Sequence, residues 1–381
     1  MLRYLTAGES HGPGLVAVLE GMPAGVEVSL DELKQEQARR RWCYGRGGRA
    51  SIEKDEIQIT GGVYKSRTTG APIGVFIPNK DYANWAGRDV PITAPRPGHA
   101  DLPGAIKYGF DDCRPVAERA SARETAARVA CGYFAKKLLG QAQVEVLSWV
   151  ASVGEVVADL GAAGQRMSDP SLARSLASAA ASSDVRCPDA VAAARMMQAI
   201  DRARDAGDTL GGTFEVVALN VPLGLGSHVH WDRRLDARLA AALMSINAVK
   251  AVEIGAGCEL ARMPGSLAQD PILPGDAARG QVFARKSNMA GGIEGGISNG
   301  EPVFARAVVK PVPTLPSPLP SVDLRTGQAC PAHIERSDVC VIGSAAVVAE
   351  AMVALVLADA WIERFGGDVV GVESGEWWCR K

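Results

Sequence analysis

Two short glycine-flanked segments put an imidazole where a ligand's atoms can approach the backbone. Gly8-Glu9-Ser10-His11-Gly12 ends an alternating apolar run, and Arg96-Pro97-Gly98-His99-Ala100-Asp101 sets a histidine between an arginine and an aspartate. Imidazole changes charge near neutral pH, so either histidine can give or take a proton. Glycine neighbours omit the Cβ that would hold a ligand away. A turn histidine bonded to its own backbone fits the first motif equally well. In the second, Asp101 stands close enough to orient a ring nitrogen, and Arg, His and Asp presented together favour a site. The chain has 5 histidines. His228 and His230, in Ser227-His228-Val229-His230-Trp231, share one face of an extended segment. No third metal ligand accompanies them, and they read as structural hydrogen-bonding groups. His333 carries no assignment, and no metal site is expected.

Arginines gather in three places. Arg39, Arg40 and Arg41 run into Arg46 and Arg49 of a glycine-rich stretch. Arg114, Arg119, Arg123 and Arg128 lie around Ser121 and Glu124, and Arg336 precedes Asp338. Solvated surface arginines contribute little. Guanidinium groups set in Gly/Ser-rich turns, by contrast, suit bidentate recognition of carboxylates and phosphates, at roughly 1.5–3 kcal/mol per desolvated charge-assisted hydrogen bond. The expected ligand, or ligand pair, carries several negative charges. Lys+Arg 41 against Asp+Glu 43 leaves a net charge of -2, so this is local clustering and not a global field. No global field draws the chain to nucleic acid or an anionic membrane, and with only 5% aromatics to stack bases nucleic-acid binding is the weaker competitor; neither partner is expected. Neither G-x-G-x-x-G, nor the phosphate loop ending in G-K-[ST], nor G-x-S-x-G occurs. From residue types and spacing alone, the chain reads as an enzyme acting on a polyanion, with histidine and aspartate moving protons.

The elements that must carry these residues mix throughout. Tyr4–Ala7 and Leu15–Leu19 alternate as strands, and Ser29 with Glu32 forms a capping box for a helix running to Arg41. Ile57–Val63 and Ile73–Ile77 are strand-like, and Arg119–Leu139 is alanine-rich and helical. Residues 158–187 are Ala/Ser-rich and weakly patterned, which predicts a peripheral excursion. Pro188 opens a helix through Asp208, Phe214–Val221 alternates as a strand, and Leu235–Ile246 is an amphipathic helix. The 5 prolines between Lys310 and Pro320 predict an extended loop, and Ser344–Phe365 a long apolar helix. Glu350 and Asp359 make that last helix core and not a membrane span. At 381 residues with 47% hydrophobic side chains, the chain can bury a full core without staples. Its 8 scattered cysteines show no C-x-x-C pair, and with no signal peptide at Met1 the expectation is reduced thiols in the cytoplasm. One α+β domain over residues 1–381 is expected.

Longer stretches carry a resemblance. GESHG from Gly8, YGRGGR from Tyr44 followed by IEKD, RPGHADLPGAIKYGFDD from Arg96 and ERASARETAARVA from Glu118 follow one another along the chain. GLGSHVHWDRRLDARLAAALMSINAVKAVEIG from Gly224, NMAGGIEGGISNGEP from Asn288, KPVPTL from Lys310 and RSDVC from Arg336 continue them. In that order, over nearly the whole length, they resemble the chorismate synthase family. Ala50 and Ala251 depart from its pattern without removing a polar group, and residues 158–187 match least.

The resemblance implies a helical layer sandwiched between antiparallel sheets, a homotetramer, and 1,4-anti elimination of phosphate from 5-enolpyruvylshikimate 3-phosphate to give chorismate. It implies reduced FMN, although the reaction has no net redox change. It gives His11 the departing phosphate, His99 the reduced flavin, and Asp338 a relay for the ring proton. It places flavin contacts at Arg119, Ala120, Ser121, Asn247, Ala248, Gly295, Lys310, Pro311, Val312, Pro313, Thr314 and Arg336. Arg40 and Arg46 match positions linked with NADP or substrate, and Arg49 and Arg123 are further substrate candidates. NADPH enters only as a reductant of the flavin; with no dinucleotide motif in the chain, an external flavin reductase is the expected source. The competing class is a flavin- or polyanion-binding relative without elimination activity, which would have no need of three proton-transfer groups.

Overall fold

The computed structural model describes residues 1–47, 56–88, 90–275 and 283–368. Strands β1 (Arg3–Ala7), β2 (Gly14–Glu20), β3 (Gln58–Gly61) and β4 (Ile73–Pro78) form an antiparallel sheet in the order β1-β2-β4-β3. Alternation decides which side chains it buries. Leu15, Ala17 and Leu19 of β2 and Ile73, Val75 and Ile77 of β4 face inward, while Val16 and Val18 face out.

Helix α1 (Leu30–Arg41) begins at Ser29, whose Oγ accepts from the Glu32 amide. Only half of the expected capping box forms. The Tyr133 hydroxyl takes the Ser29 amide at 2.7 Å and donates to the Glu32 carboxylate at 2.9 Å, standing between the two. Helices α2 (Asp101–Tyr108) and α3 (Arg114–Ala120) follow. The helix expected from Arg119 is interrupted: Ser121 is extended, and its Oγ accepts from the Arg123 amide to cap a 3-10 turn at Ala122–Glu124 before α4 (Thr125–Gln141). Serine competing for backbone amides explains the break.

A second antiparallel sheet contains β5 (Glu145–Val153), β6 (Val156–Val157), β7 (Gly212–Leu219), β8 (Val249–Ile254) and β9 (Val303–Val309), in the order β8-β9-β7-β5-β6. From Ser148 onward β5 is buried on both faces, because helices cover one side and the 158–187 excursion the other. That excursion is ordered. Its helices α5 (Ala163–Ser168) and α6 (Pro170–Ala181) close a separate apolar cluster of Trp149, Met167, Ala173, Ala180, Val217 and Phe304. Arg166 anchors it with two bonds of 2.9 and 2.8 Å to the buried Glu215 of β7. Helix α7 (Ala190–Asp205) starts two residues later than Pro188 suggests, since the Asp189 carboxylate caps the amides of Val191 and Ala192.

Helix α8 (Leu235–Met244) and the long α9 (Ile342–Phe365) complete the helical layer. Between the sheets, α4 packs on β2 and β4, and α9 on β5 and β7, so the two helices meet face to face. At their crossing a methyl group on Gly132 would overlap Ala351, so glycine sets how closely they approach. Helix α9 is long and apolar enough to span a membrane, yet its most apolar stretch is 83% buried inside the protein. The α+β sandwich is as the resemblance implied. Residues 310–319 run extended with no helix or strand, as their prolines predict.

Candidate active site

The Gly8–Gly12 turn follows β1 and is held by α3: the Glu118 carbonyl accepts from the Ser10 amide at 3.1 Å. The Glu118 carboxylate then grips His11 twice, taking its amide at 2.6 Å and its Nδ1 at 2.7 Å. Burial pushes this carboxyl up, but hydrogen bonds from His11 and Arg114 outweigh it and hold it below the usual range. The ionised partner fixes the imidazole with Nδ1 towards Glu118, directing proton transfer to Nε2. Trp85, in the short helix Tyr82–Trp85, stacks on His11 with ring centroids 3.9 Å apart. Arg114 lies over the other ring system of that stack, 5.5 Å from the Trp85 centroid.

His99 repeats the arrangement. Its Nδ1 meets the buried Asp101 at 2.6 Å, and Arg96 clamps the same carboxylate through Nε (2.8 Å) and Nη2 (3.0 Å). Burial raises the Asp101 carboxyl, but the bonds from His99 and Arg96 win and keep it ionised far below its ordinary value. Arg96 also donates to Thr314 Oγ1 at 3.0 Å, and Lys310 Nζ bonds the Gly98 carbonyl at 2.5 Å. The proline-rich segment and the histidine turn are therefore one unit.

Glu335 joins the two histidine pairs. It accepts from Arg114 at 2.9 Å, on the His11 side, and lies 3.6 Å from Arg96, on the His99 side. Three residues on, Asp338 accepts from the Gly47 amide at 2.7 Å and faces Arg46 Nε at 3.4 Å. A methyl on Gly47 would press to 2.8 Å from the Ser337 carbonyl, so the loop needs glycine to sit this close. Arg46 also donates to Ser344 Oγ at 3.1 Å, in the first turn of α9. His11, through Glu118 and Arg114, and His99, through Arg96, are thus linked to the segment that carries Asp338.

The remaining expected residues sort by place. Arg119 donates to the Thr6 carbonyl and hydroxyl, Ala120 accepts from Asn247 Nδ2 at 3.0 Å, and Ser121 Oγ meets Ser10 Oγ at 3.2 Å. Ala248, at φ 67, bonds the Lys310 amide through its carbonyl at 2.9 Å. Pro311 lies against Gly211, Val312 accepts from Thr209 Oγ1 at 2.8 Å, and Pro313 flanks Gly98. Segments 119–121, 247–248 and 310–314 therefore converge. Gly295 does not join them in this chain. It sits on the hairpin Ile293–Ser298 against the first turn of α8, about 15 Å of helix from Asn247. Arg336 is exposed beside Asp338. Arg40 is buried under α1, bonded to Gln37 and Thr125, and Arg123 is buried at the 3-10 turn. Arg49 lies outside the described residues.

This cluster suits a flavin mononucleotide. Asn247 Oδ1 is buried without a hydrogen bond among the described residues, an acceptor matched to a ring N–H. The cationic Arg119, Lys310 and Arg336 can meet a phosphate. Residue spacing does not single out Glu118, Trp85 and Glu335 as partners of His11 and Arg114. The i, i+4 relation of Arg114 and Glu118 is the one signal that could have paired those two.

The helical layer and loops of this α+β sandwich hold two histidine–carboxylate pairs among arginines, a set of groups able to move protons beside an anion. The match to known proteins names its kind. The family model described as chorismate synthase covers residues 2–362. The chain is 51% identical over 386 residues to the chorismate synthase of Geobacter sulfurreducens, covering 97% of this chain and 96% of that one. Against the chorismate synthase of Thermobifida fusca it is 51% identical over 388 residues, covering 97% and 96%. A crystal structure of chorismate synthase superposes with a TM-score of 0.80 at 41% identity, covering 97% of this chain and 94% of that one. The chain belongs to the chorismate synthase family and is an enzyme of it.

Proposed function

We propose that this enzyme converts 5-enolpyruvylshikimate 3-phosphate to chorismate by 1,4-anti elimination of phosphate, with reduced FMN bound at residues 119–121, 247–248, 310–314 and 336. The observation that carries the reading is the shared bridge at Glu335, which joins both histidine–carboxylate pairs beside Asp338. A protein that only binds a flavin or a polyanion has no need of that arrangement. Reduced FMN supplies, when bound, the electron density that lets phosphate leave, which no side chain here can lend.

The chain's own residues do the rest. His11, held through Nδ1 by Glu118, delivers a proton from Nε2 to the departing phosphate. Arg46 and Arg123, with Arg49 and Arg40, neutralise charge on substrate carboxylate and phosphate. His99, fixed by Asp101, holds a proton beside the flavin site. Asp338, which accepts from the Gly47 amide and faces Arg46, accepts the ring proton for release. Substrate and product differ by phosphoric acid, so atoms and electrons balance without an added reductant. The same reading makes the chain one domain in a cytoplasmic homotetramer, supplied with reduced flavin by a separate reductase.

Anaerobic turnover with photoreduced FMN tests it. One portion of reduced flavin should support many turnovers, and its spectrum should return to the reduced form. Flavin oxidised in step with product, or full activity with oxidised FMN and no reductant, overturns the proposal.

A further inference from the structure

A second cleft, of about 400 Å³, opens between α6 and β5 and shares no residue with the histidine pairs or the segments around them. Leu147, Ala177 and Ala181 give it an apolar side, Arg174 and Glu145 form an ion pair at 2.7 Å on its lining, and Arg186 stands with Arg39 and Glu350 in its wall. That wall belongs to a charge cluster. Both Glu350 oxygens are engaged, taking Arg39 through two bonds of 2.8 Å, Lys136 at 2.7 Å and Ser148 Oγ at 2.6 Å. Glu36 takes Arg39 and Lys136 at 2.7 Å.

Arg186 comes last to this cluster and is poorly served by it. It is only 6% exposed, and its Nη2 reaches Glu350 Oε1 at 3.5 Å. Its Nε makes no hydrogen bond among the described residues. Among the described residues, Arg39, Lys136 and Arg186 have ion-pair partners only in Glu36 and Glu350, so one positive charge of the cluster is left over. Burial pulls Arg186 below the ordinary arginine range, more strongly than Glu350 draws it back. Its backbone is also held at φ 56, a conformation costly for a residue with a Cβ. A desolvated, under-paired cation on a strained backbone beside a cleft is what a bound anion would complete.

We propose that this cleft binds a small organic carboxylate, its anionic end on Arg186 and its hydrocarbon body on Leu147, Ala177 and Ala181, while Arg174 stays paired with Glu145. One residual positive charge balances a monoanion, and a planar guanidinium matches a planar carboxylate. Inorganic phosphate would leave the apolar side unused. One wall of the cleft comes from the 158–187 excursion, which carries neither histidine pair nor the segments around them, so the site does not depend on the elimination chemistry.

Benzoate, benzamide and inorganic phosphate, each titrated against the full chain while thermal unfolding is followed, provide the test. Benzoate should raise the unfolding temperature in step with the logarithm of its concentration, by about 3 °C at a hundredfold excess over its Kd, and the uncharged benzamide should not. Arg186→Met should abolish the shift while leaving the ligand-free protein no less stable, because an under-paired buried charge has gone. Ala177→Trp, which fills the apolar side at an accessible position, should abolish it independently and serves if the first variant fails to fold. No concentration-dependent shift with benzoate, a shift that survives in Ala177→Trp, or phosphate stabilising as strongly as benzoate overturns the proposal.

Discussion

Each imidazole of the site is bound to its own carboxylate, buried Asp101 or half-buried Glu118, and this sets what substitution should do. His11→Ala and His99→Ala remove proton donors while leaving the arginines in place. kcat should fall by roughly 10²–10⁴-fold with ligand dissociation constants nearly unchanged. Asp338→Asn should likewise slow elimination while bound flavin survives. Near-normal kcat across all three would sink the assignment. The carboxylates also make stability depend on pH. Asp101 and Glu118 have ordinary values of 3.8 and 4.5 and are held lower in the folded protein. The stability they contribute is therefore complete above about pH 4.5 and is lost as pH falls below those values, when the unfolded chain takes up protons first. Thermal unfolding between pH 7 and 3 should show this, with a shallower slope in Asp101→Asn. The histidines were legible in the sequence because glycine turns flagged them. Glu118 and Glu335 were not, since a carboxylate among many charged residues gains meaning only when folding brings its partner within hydrogen-bond reach.

At the scale of elements, helix α4 shows what periodicity reveals and what it hides. Its alanines announce a closely packed helix, but Gly132 reads as a weak helix former until its contact with Ala351 of α9 is seen. Gly132→Val should force the two central helices apart and destabilise by about 1–3 kcal/mol, measured as a lower denaturant midpoint. An unchanged midpoint would mean that the layer yields elsewhere. Strands were found where alternation was clean, as in β2 and β4. Alanine-rich propensity runs straight through Ser121 and hides the helix break there; the side-chain cap that stops the helix is a local choice made by one hydroxyl. The excursion α5–α6 looked unpatterned because alanine and serine carry little hydrophobic contrast, although Met167 and Ala173 bury fully.

Across the whole molecule, the two sheets differ in how they are covered. The first leaves Leu5, Val16 and Val18 exposed, whereas the second is covered on its outer face by the excursion. That cover is fastened at Glu215, which is fully buried and holds Arg166, Arg306 and Trp149 Nε1. Glu215→Gln leaves two guanidiniums around an uncharged amide and should cost about 3 kcal/mol. Limited proteolysis should then cut first within 158–187, while the remainder of the chain stays resistant. Cleavage beginning elsewhere would show that the cover is held mainly by its apolar cluster.

The bridge at Glu335 also has a consequence in time. A ribosome releases His11 first and His99 soon after, but Arg46 waits for Asp338, and the Gly47–Asp338 bond closes a loop of 291 residues. Arg39 and Glu350, 311 residues apart, meet only when α9 has emerged. Contacts so distant along the chain form slowly and late. A growing chain therefore has no reactive centre to expose, and enzyme activity should be the last property regained on refolding, after both sheets have their native circular dichroism.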